Sequence, residues 1–216
     1  MHQFQLHTAC EGPLALNTIT LELCRQFLPP DGAAFFTQVS RYDDYLADIA
    51  QKPDHQAGDA SKLILPFLRS AGLTNDRMAE FSRQHLRLMP RAEEAYRFLH
   101  TLNFSIFAFS AGYRPFAQEV AARLGFGPER LRCTEIDLDR YELSDAEAGE
   151  VHRFLGEIAT APALAWPPEA KTPADLAPEA QEALGLMDRI FGEKIPSLDI
   201  GRIYREVNAM RGPEKA

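Results

Sequence analysis

The run Phe104-Ser105-Ile106-Phe107-Ala108-Phe109 constrains this chain more than any other stretch. It is short, almost continuously apolar and rich in aromatic residues. A strand buried on one face alternates polar with apolar; one buried on both faces does not, and such strands belong to parallel sheets covered by helices. The run passes into Ser110-Ala111-Gly112-Tyr113-Arg114-Pro115, after which the spacing predicts a helix over 116–124 closed by Gly125. Two weaker stretches complete a strand set. Residues 3–10 alternate loosely before the turn Glu11-Gly12-Pro13, and Leu131 to Ile136 forms a third short candidate.

Between the first two strands lies text of helical character. Leu16, Ile19, Leu23 and Phe27 recur at helical spacing and predict a helix over 14–28, stopped by Pro29-Pro30. Further helices are expected over 32–50, over 63–71 with Asp59 as N-cap, over 75–85, and over 91–102 after Pro90. The order strand, helical block, strand, helix, strand is an α/β layout with parallel strands. The helical block is too long for a simple crossover and reads as an all-helical cap over 14–89, inserted into a core formed by 1–13 and 90–216. After Ile136 an acidic run from Asp137 to Glu150 leads into an Ala/Pro/Glu-rich stretch. That stretch reads as mobile or loosely packed, with Trp166 as its anchor and a helix expected over 179–191.

Composition narrows the function classes. The 216 residues are 45% hydrophobic and 25% charged, as in an ordinary globular protein. No apolar run approaches the ~18 residues of a membrane span, and the first residues do not read as a secretory signal. The net charge of −8 disfavours non-specific nucleic-acid binding. The three cysteines form no CxxC pair and read as free thiols of a reducing cytoplasm, and the six histidines show no metal-ligand spacing.

Chemistry is expected at the carboxyl ends of the strands, where open parallel sheets place their ligands. Ser110 and Gly112 at a strand-to-helix junction would offer a hydroxyl and free backbone N–H groups to an anion; Ser110 serves equally well as a plain helix cap. Glu11 stands after the first strand and could hold metal or water, or only cap the turn. Cys10 reads as a small buried apolar residue. Arg41, Asp43, Asp44 and the pair Tyr42/Tyr45 either face the site or form an amphipathic helix with its charges in solvent. Arg114 either meets a ligand's phosphate or carboxylate or makes a surface ion pair.

Taken together, Glu11-Gly12-Pro13-Leu14, the helical insert, Met89-Pro90-Arg91-Ala92-Glu93-Glu94, and the strand followed by Ser110-Ala111-Gly112-Tyr113 resemble the haloacid dehalogenase superfamily. The cap position and the Met-Pro segment are similar to its phosphoserine-phosphatase-like branch. The Glu-Gly-Pro motif, with residues 40–46 in the cap, looks like a group of predicted hydrolases within that branch. The resemblance covers residues 4–136 and extends less closely over 200–216. It implies a Rossmann-like core with a helical cap, and an Mg²⁺-dependent phosphohydrolase working through an aspartyl-phosphate on a small phosphorylated molecule. Carried over, the second acid falls on Glu11, which also becomes a metal ligand. The phosphate-binding serine falls on Ser110 and the lysine on Lys215, with Lys194 as the alternative. Gly12, Ala111, Gly112, Arg114 and Arg41 are expected to bind substrate.

The chain departs from the family at the position that matters most. The nucleophilic aspartate falls on Ala9, and a methyl group can neither attack phosphorus nor hold Mg²⁺. With Lys215 as the family lysine, the acidic metal pair and the last core strands are expected beyond Ala216. The first strand would then be a sheet edge, which favours a homodimer. The expectation is a phosphohydrolase relative impaired as written; the alternative is a non-catalytic ligand- or protein-binding module on the same scaffold.

Overall fold

The computed structural model describes residues 4–53 and 55–207. The strands are β1 (Phe4–Ala9), β2 (Phe104–Tyr113) and β3 (Leu131–Thr134). They form a three-stranded sheet in the order β1-β2-β3, parallel throughout, with Phe4 opposite Phe104 and Ala9 opposite Phe109. The chain is thus α/β, as its apolar central strand implies. Ile106, Ala108 and Leu131 are buried on one sheet face, and helices α5 (Ala92–Thr101) and α6 (Arg114–Leu124) both pack on β2.

β2 runs further than its apolar run suggests. Pairing with β3 goes from Ser110–Cys133 directly to Tyr113–Thr134, so Ala111 and Gly112 bulge out of the ladder. The Thr134 hydroxyl, 3.2 Å from the Ala111 carbonyl, fastens the bulge. Tyr113 closes the strand fully buried, donating its hydroxyl to the Ser61 carbonyl at 2.7 Å.

The insert contains α1 (Ile19–Phe27), α2 (Gly32–Asp44, continued by a wider turn over Tyr45–Ile49), α3 (Ala60–Ser70) and α4 (Asn75–His85). Helix α1 begins five residues later than the apolar spacing predicts, because residues 14–17 are used otherwise. The amides of Leu14 and Ala15 donate to the Cys10 carbonyl, and that of Leu16 to the Arg87 carbonyl. Asn17 accepts from the Arg87 amide and donates to the His85 carbonyl. Ala15 also bridges Leu88 antiparallel, and the Met89 amide donates to Leu14. The entry to the insert and its exit are therefore sewn together directly beside Glu11.

Beyond β3 the Ala/Pro/Glu-rich stretch, mostly exposed, is anchored at a few points between two packed helices. Helix α7 (Asp145–Thr160) packs on α2 and α3, and α8 (Pro178–Arg189) follows it. Between them Leu164 and Leu176 are buried. The Gln38 side chain donates to the carbonyls of Ala161 and Pro162 and accepts from the Leu164 amide. Trp166 packs edge-on against Tyr45. A Pro-rich segment has few backbone donors to satisfy, so one glutamine and a few apolar anchors suffice to hold it. The helical layer is consequently built from two stretches of chain, and the unit read as 14–89 is only part of it. Short turns α9 (Ile195–Ser197) and α10 (Ile203–Glu206) close the described chain. None of the described helices is long and apolar enough to cross a membrane.

Candidate functional site

The ends of β1 and β2 open into a cavity of about 430 Å³ under the helical layer. Ala9, Glu11, Phe109, Ala111 and Gly112 form its floor; Thr18 and Thr20 border it from α1 and the turn before it. Phe36, Ser40, Asp43 and Asp44 face it from α2, and Gly58, Ala60 and Ser61 from the start of α3.

The floor is organised around Glu11. Its Oε1 accepts from the Ser110 hydroxyl at 2.6 Å and from the Gly112 amide at 3.2 Å. The same amide lies 3.0 Å from Ser110 Oγ. Glu11 reaches them because Gly12, at φ +88°, turns the chain back and donates to Ala15. Gly112 leaves the necessary room: a Cβ there would sit 2.8 Å from Glu11 Oε1 and 3.0 Å from the Ile19 methyl. The bulge in β2 aims this amide at the cavity.

The roof has a matching feature. Asp43 is buried; its Oδ2 accepts from the Gly58 amide at 2.7 Å and its Oδ1 from the Ala60 amide at 3.1 Å. His55 Nε2 lies 2.7 Å from Asp43 Oδ1, and its Nδ1 lies 3.7 Å from Asp59. Asp59 is buried as well and accepts from the Gln56 amide; it does not cap α3 with its side chain. The positive end of α3, where an anion would be drawn, is already filled by the chain's own carboxylate. Asp44 also borders the cavity, and burial together with the Asp43 charge raises its pKa.

Of the residues expected from sequence, Ala9, Glu11, Ser110, Ala111 and Gly112 come together at the strand ends. Gly12 shapes the turn and does not line the cavity. Arg41 is exposed and sits over the Trp166 ring, with its guanidinium carbon 5.9 Å from the centroid. Arg114 is exposed and pairs with Glu135 at 3.3 Å. Neither arginine lines the cavity, because each points along the outside of its helix. Tyr42 and Tyr45 are buried inside the helical layer, Tyr42 donating to Asp188 at 2.6 Å. Lys194 is exposed away from the cavity, and Lys215 lies outside the described residues. Cys10 is fully buried, and burial, with the Glu11 charge beside it, pushes its thiol up to about 12; it stays protonated and is no stand-in nucleophile.

Sequence reasoning missed Thr18, Thr20, Phe36 and the His55–Asp43–Asp59 cluster. The spacing of His55 and Asp59, four apart, was a usable signal; the meeting with Asp43 was not, because it depends on how α2 and α3 dock.

An Mg²⁺ ion needs several oxygen ligands in near-octahedral array. The described residues gather no group of three or more acidic, histidine or cysteine side chains able to hold a metal. Ala9 supplies no side-chain oxygen, and Glu11 Oε1 is already bonded to two donors. These described residues do not fit the ion that the resemblance implies.

No protein-family model matches the chain, and no curated protein matches it. It is similar to the solved structure of gene product AF1437 from Archaeoglobus fulgidus, at 26% identity and a TM-score of 0.82, over 99% of this chain. The chain spans about 60% of the length of that protein.

Proposed function

We propose that this chain is a haloacid-dehalogenase-like scaffold with a Rossmann-like core, whose cavity binds a small molecule without hydrolysing phosphate esters. One observation carries this reading: the chain's own carboxylates hold the backbone donors that a phosphoryl group would need. Glu11 holds the Gly112 amide, and Asp43 holds the start of α3. Ala9 presents a methyl group where the resemblance calls for the nucleophile.

Each effect alone is large. Loss of a covalent nucleophile leaves only catalysis by binding and positioning. A phosphate set beside fixed carboxylates in a partly dry cavity meets repulsion of several kcal/mol at an effective dielectric of ~20. Among the described residues lining the cavity, Glu11, Asp43 and Asp44 are acidic and none is basic. An uncharged or cationic small molecule, held by the Thr18, Thr20, Ser40 and Ser61 hydroxyls and packed on Phe36 and Phe109, suits this lining better than a bare phosphorylated or anionic one. The three free cysteines are in keeping with a reducing cytoplasm.

The second reading, a working phosphohydrolase frame disabled at one position, is favoured by the meeting of Glu11 with Ser110. Release of 4-nitrophenol from 4-nitrophenyl phosphate with Mg²⁺, measured for the native chain and for Ala9→Asp, separates the two. The native chain is expected to give no rate above buffer, and clear turnover by it overturns the non-catalytic reading. Turnover confined to Ala9→Asp identifies a retained phosphatase frame.

A further inference from the structure

The cavity walls are unevenly supplied with hydrogen-bonding groups. Three backbone amides that line them already donate to the chain's own carboxylates: Gly112 to Glu11, and Gly58 and Ala60 to Asp43. Acceptors are left over. The Asp44 carboxylate borders the cavity, and no described residue hydrogen-bonds or ion-pairs with it; Arg41, exposed on the outside of the helix, acts on it only through space. The Ser61 hydroxyl borders the cavity too. Ser61 is only 7% exposed, yet no described residue engages its hydroxyl, because the bond from Tyr113 goes to its backbone carbonyl. A buried polar group without a partner costs free energy, so such a side chain on a cavity wall points to a group that enters the cavity.

The rest of the wall says what that group is attached to. Phe36, Ser40, Asp43 and Asp44 fall at helical spacing on one face of α2, so a ring and two carboxylates look the same way. Phe36 above and Phe109 below are both only partly buried. A positive charge is attracted to a carboxylate and to the face of an aromatic ring, whereas an anion is repelled by the carboxylates. His55 is turned to Asp43 and Asp59 and does not line the cavity. The described residues offer a metal ion too few ligands, and the cavity's 430 Å³ lies in the range of small-molecule sites, roughly 300–1,000 Å³.

We propose that the cavity binds a primary ammonium group carried on a small apolar or aromatic body, with Asp44 as its counter-charge and the Ser61 hydroxyl as a second acceptor. The assignment rests on the reading of the cavity as a small-molecule site and narrows it to one chemical class. An ammonium nitrogen has three N–H donors and no acceptor, which suits a wall with acceptors to spare. Asp44 takes one donor in a charge-assisted hydrogen bond, the Ser61 oxygen takes another, and the body packs on Phe36 and Phe109. Burial and the Asp43 charge raise the pKa of Asp44; an entering cation relieves the same repulsion.

Phenethylamine, 2-phenylethanol and phenylacetate share a ring on a short chain and differ in charge. Each is titrated to millimolar concentration into the native chain near neutral pH, and the Ser61 and Gly112 amide resonances are followed. Phenethylamine is expected to bind at least about tenfold more tightly than the alcohol, and phenylacetate not to bind. Asp44→Asn, with unchanged far-UV circular dichroism, is expected to bring the amine to the level of the alcohol; Ser61→Ala should weaken the amine by a smaller factor. An alcohol bound as tightly as the amine overturns the proposal while the small-molecule reading of the cavity stands. A preference for phenylacetate overturns both. An amine preference undiminished in both variants overturns the assignment to Asp44 and Ser61. No shift with any of the three overturns the proposal as well, and the 4-nitrophenyl phosphate assay judges the reading beneath it separately.

Discussion

Glu11 is the residue on which the cavity turns. Its carboxylate joins the first strand to the second through Ser110 and the Gly112 amide. This explains why residue 112 has no side chain. An added methyl would press on Glu11 Oε1 at 2.8 Å and on Ile19 at 3.0 Å, and overpacking of that kind costs about 1–3 kcal/mol. Gly112→Ala is therefore expected to lower stability by about that amount in a urea titration, with an unchanged slope; a stability equal to native would show that the strand ends yield freely. Ala9 and Cys10 make the complementary point. One lies on the cavity and has no chemistry, while the other has a thiol but is buried and protonated. Neighbours on a strand point to opposite faces, so the one cannot replace the other.

At the scale of elements, the helical layer owes its position to caps and clamps that join distant segments. Asp43 of α2 closes the start of α3. At the start of α7, Ser144 and Glu147 form a reciprocal capping box, and Glu147 Oε1 also accepts from the Asp199 amide at 2.8 Å. Burial opposes the charged form of Glu147, but the amides of Ser144 and Asp199 outweigh it and hold the carboxyl below the ordinary glutamate range. Its folded pKa is thus lower than its unfolded one. The stability it contributes is complete above the unfolded value and is lost as pH falls through the folded value. Ser144→Ala is expected to cost about 1 kcal/mol near neutrality and less below the glutamate range, where Glu147 is protonated in both proteins; a cost that does not change with pH would contradict this. The predictable elements were those fixed locally. Helices α4 and α6 follow from their own spacing and end residues, and β2 from its apolar run. The late start of α1 was not predictable, because Asn17 and Leu16 bond to residues near position 87, about seventy places away in sequence. Nor was the packing of residues 161–177, which rests on Gln38 of α2 and on the anchors Leu164, Trp166 and Leu176.

Among the described residues the molecule is an α/β chain in which the helical insert roofs the open end of a three-stranded parallel sheet and helix α7 packs on that insert. Its likeness to AF1437 covers nearly all of this chain and about 60% of the other, and it concerns the architecture. The cavity's chemistry has to be read from the side chains. Glu11, Ser110 and Gly112 could be picked out in the sequence because strand-end motifs are local. The acidic roof was legible only as an alternative: Asp43 and Asp44 either face the site or point to solvent, and the docking of α2 decides between them. That roof, together with the engaged Glu11, separates this cavity from one built for phosphate. The most direct test is to add inorganic phosphate to ¹⁵N-labelled protein and follow the Gly112 amide resonance, in the native chain and in Glu11→Gln. Millimolar phosphate is expected to leave the native resonance in place, because Glu11 holds that amide, and to move it when the carboxylate is neutralised. A saturable shift in the native chain would mean that phosphate displaces Glu11, and the reading of a cavity closed to phosphoryl groups would be wrong.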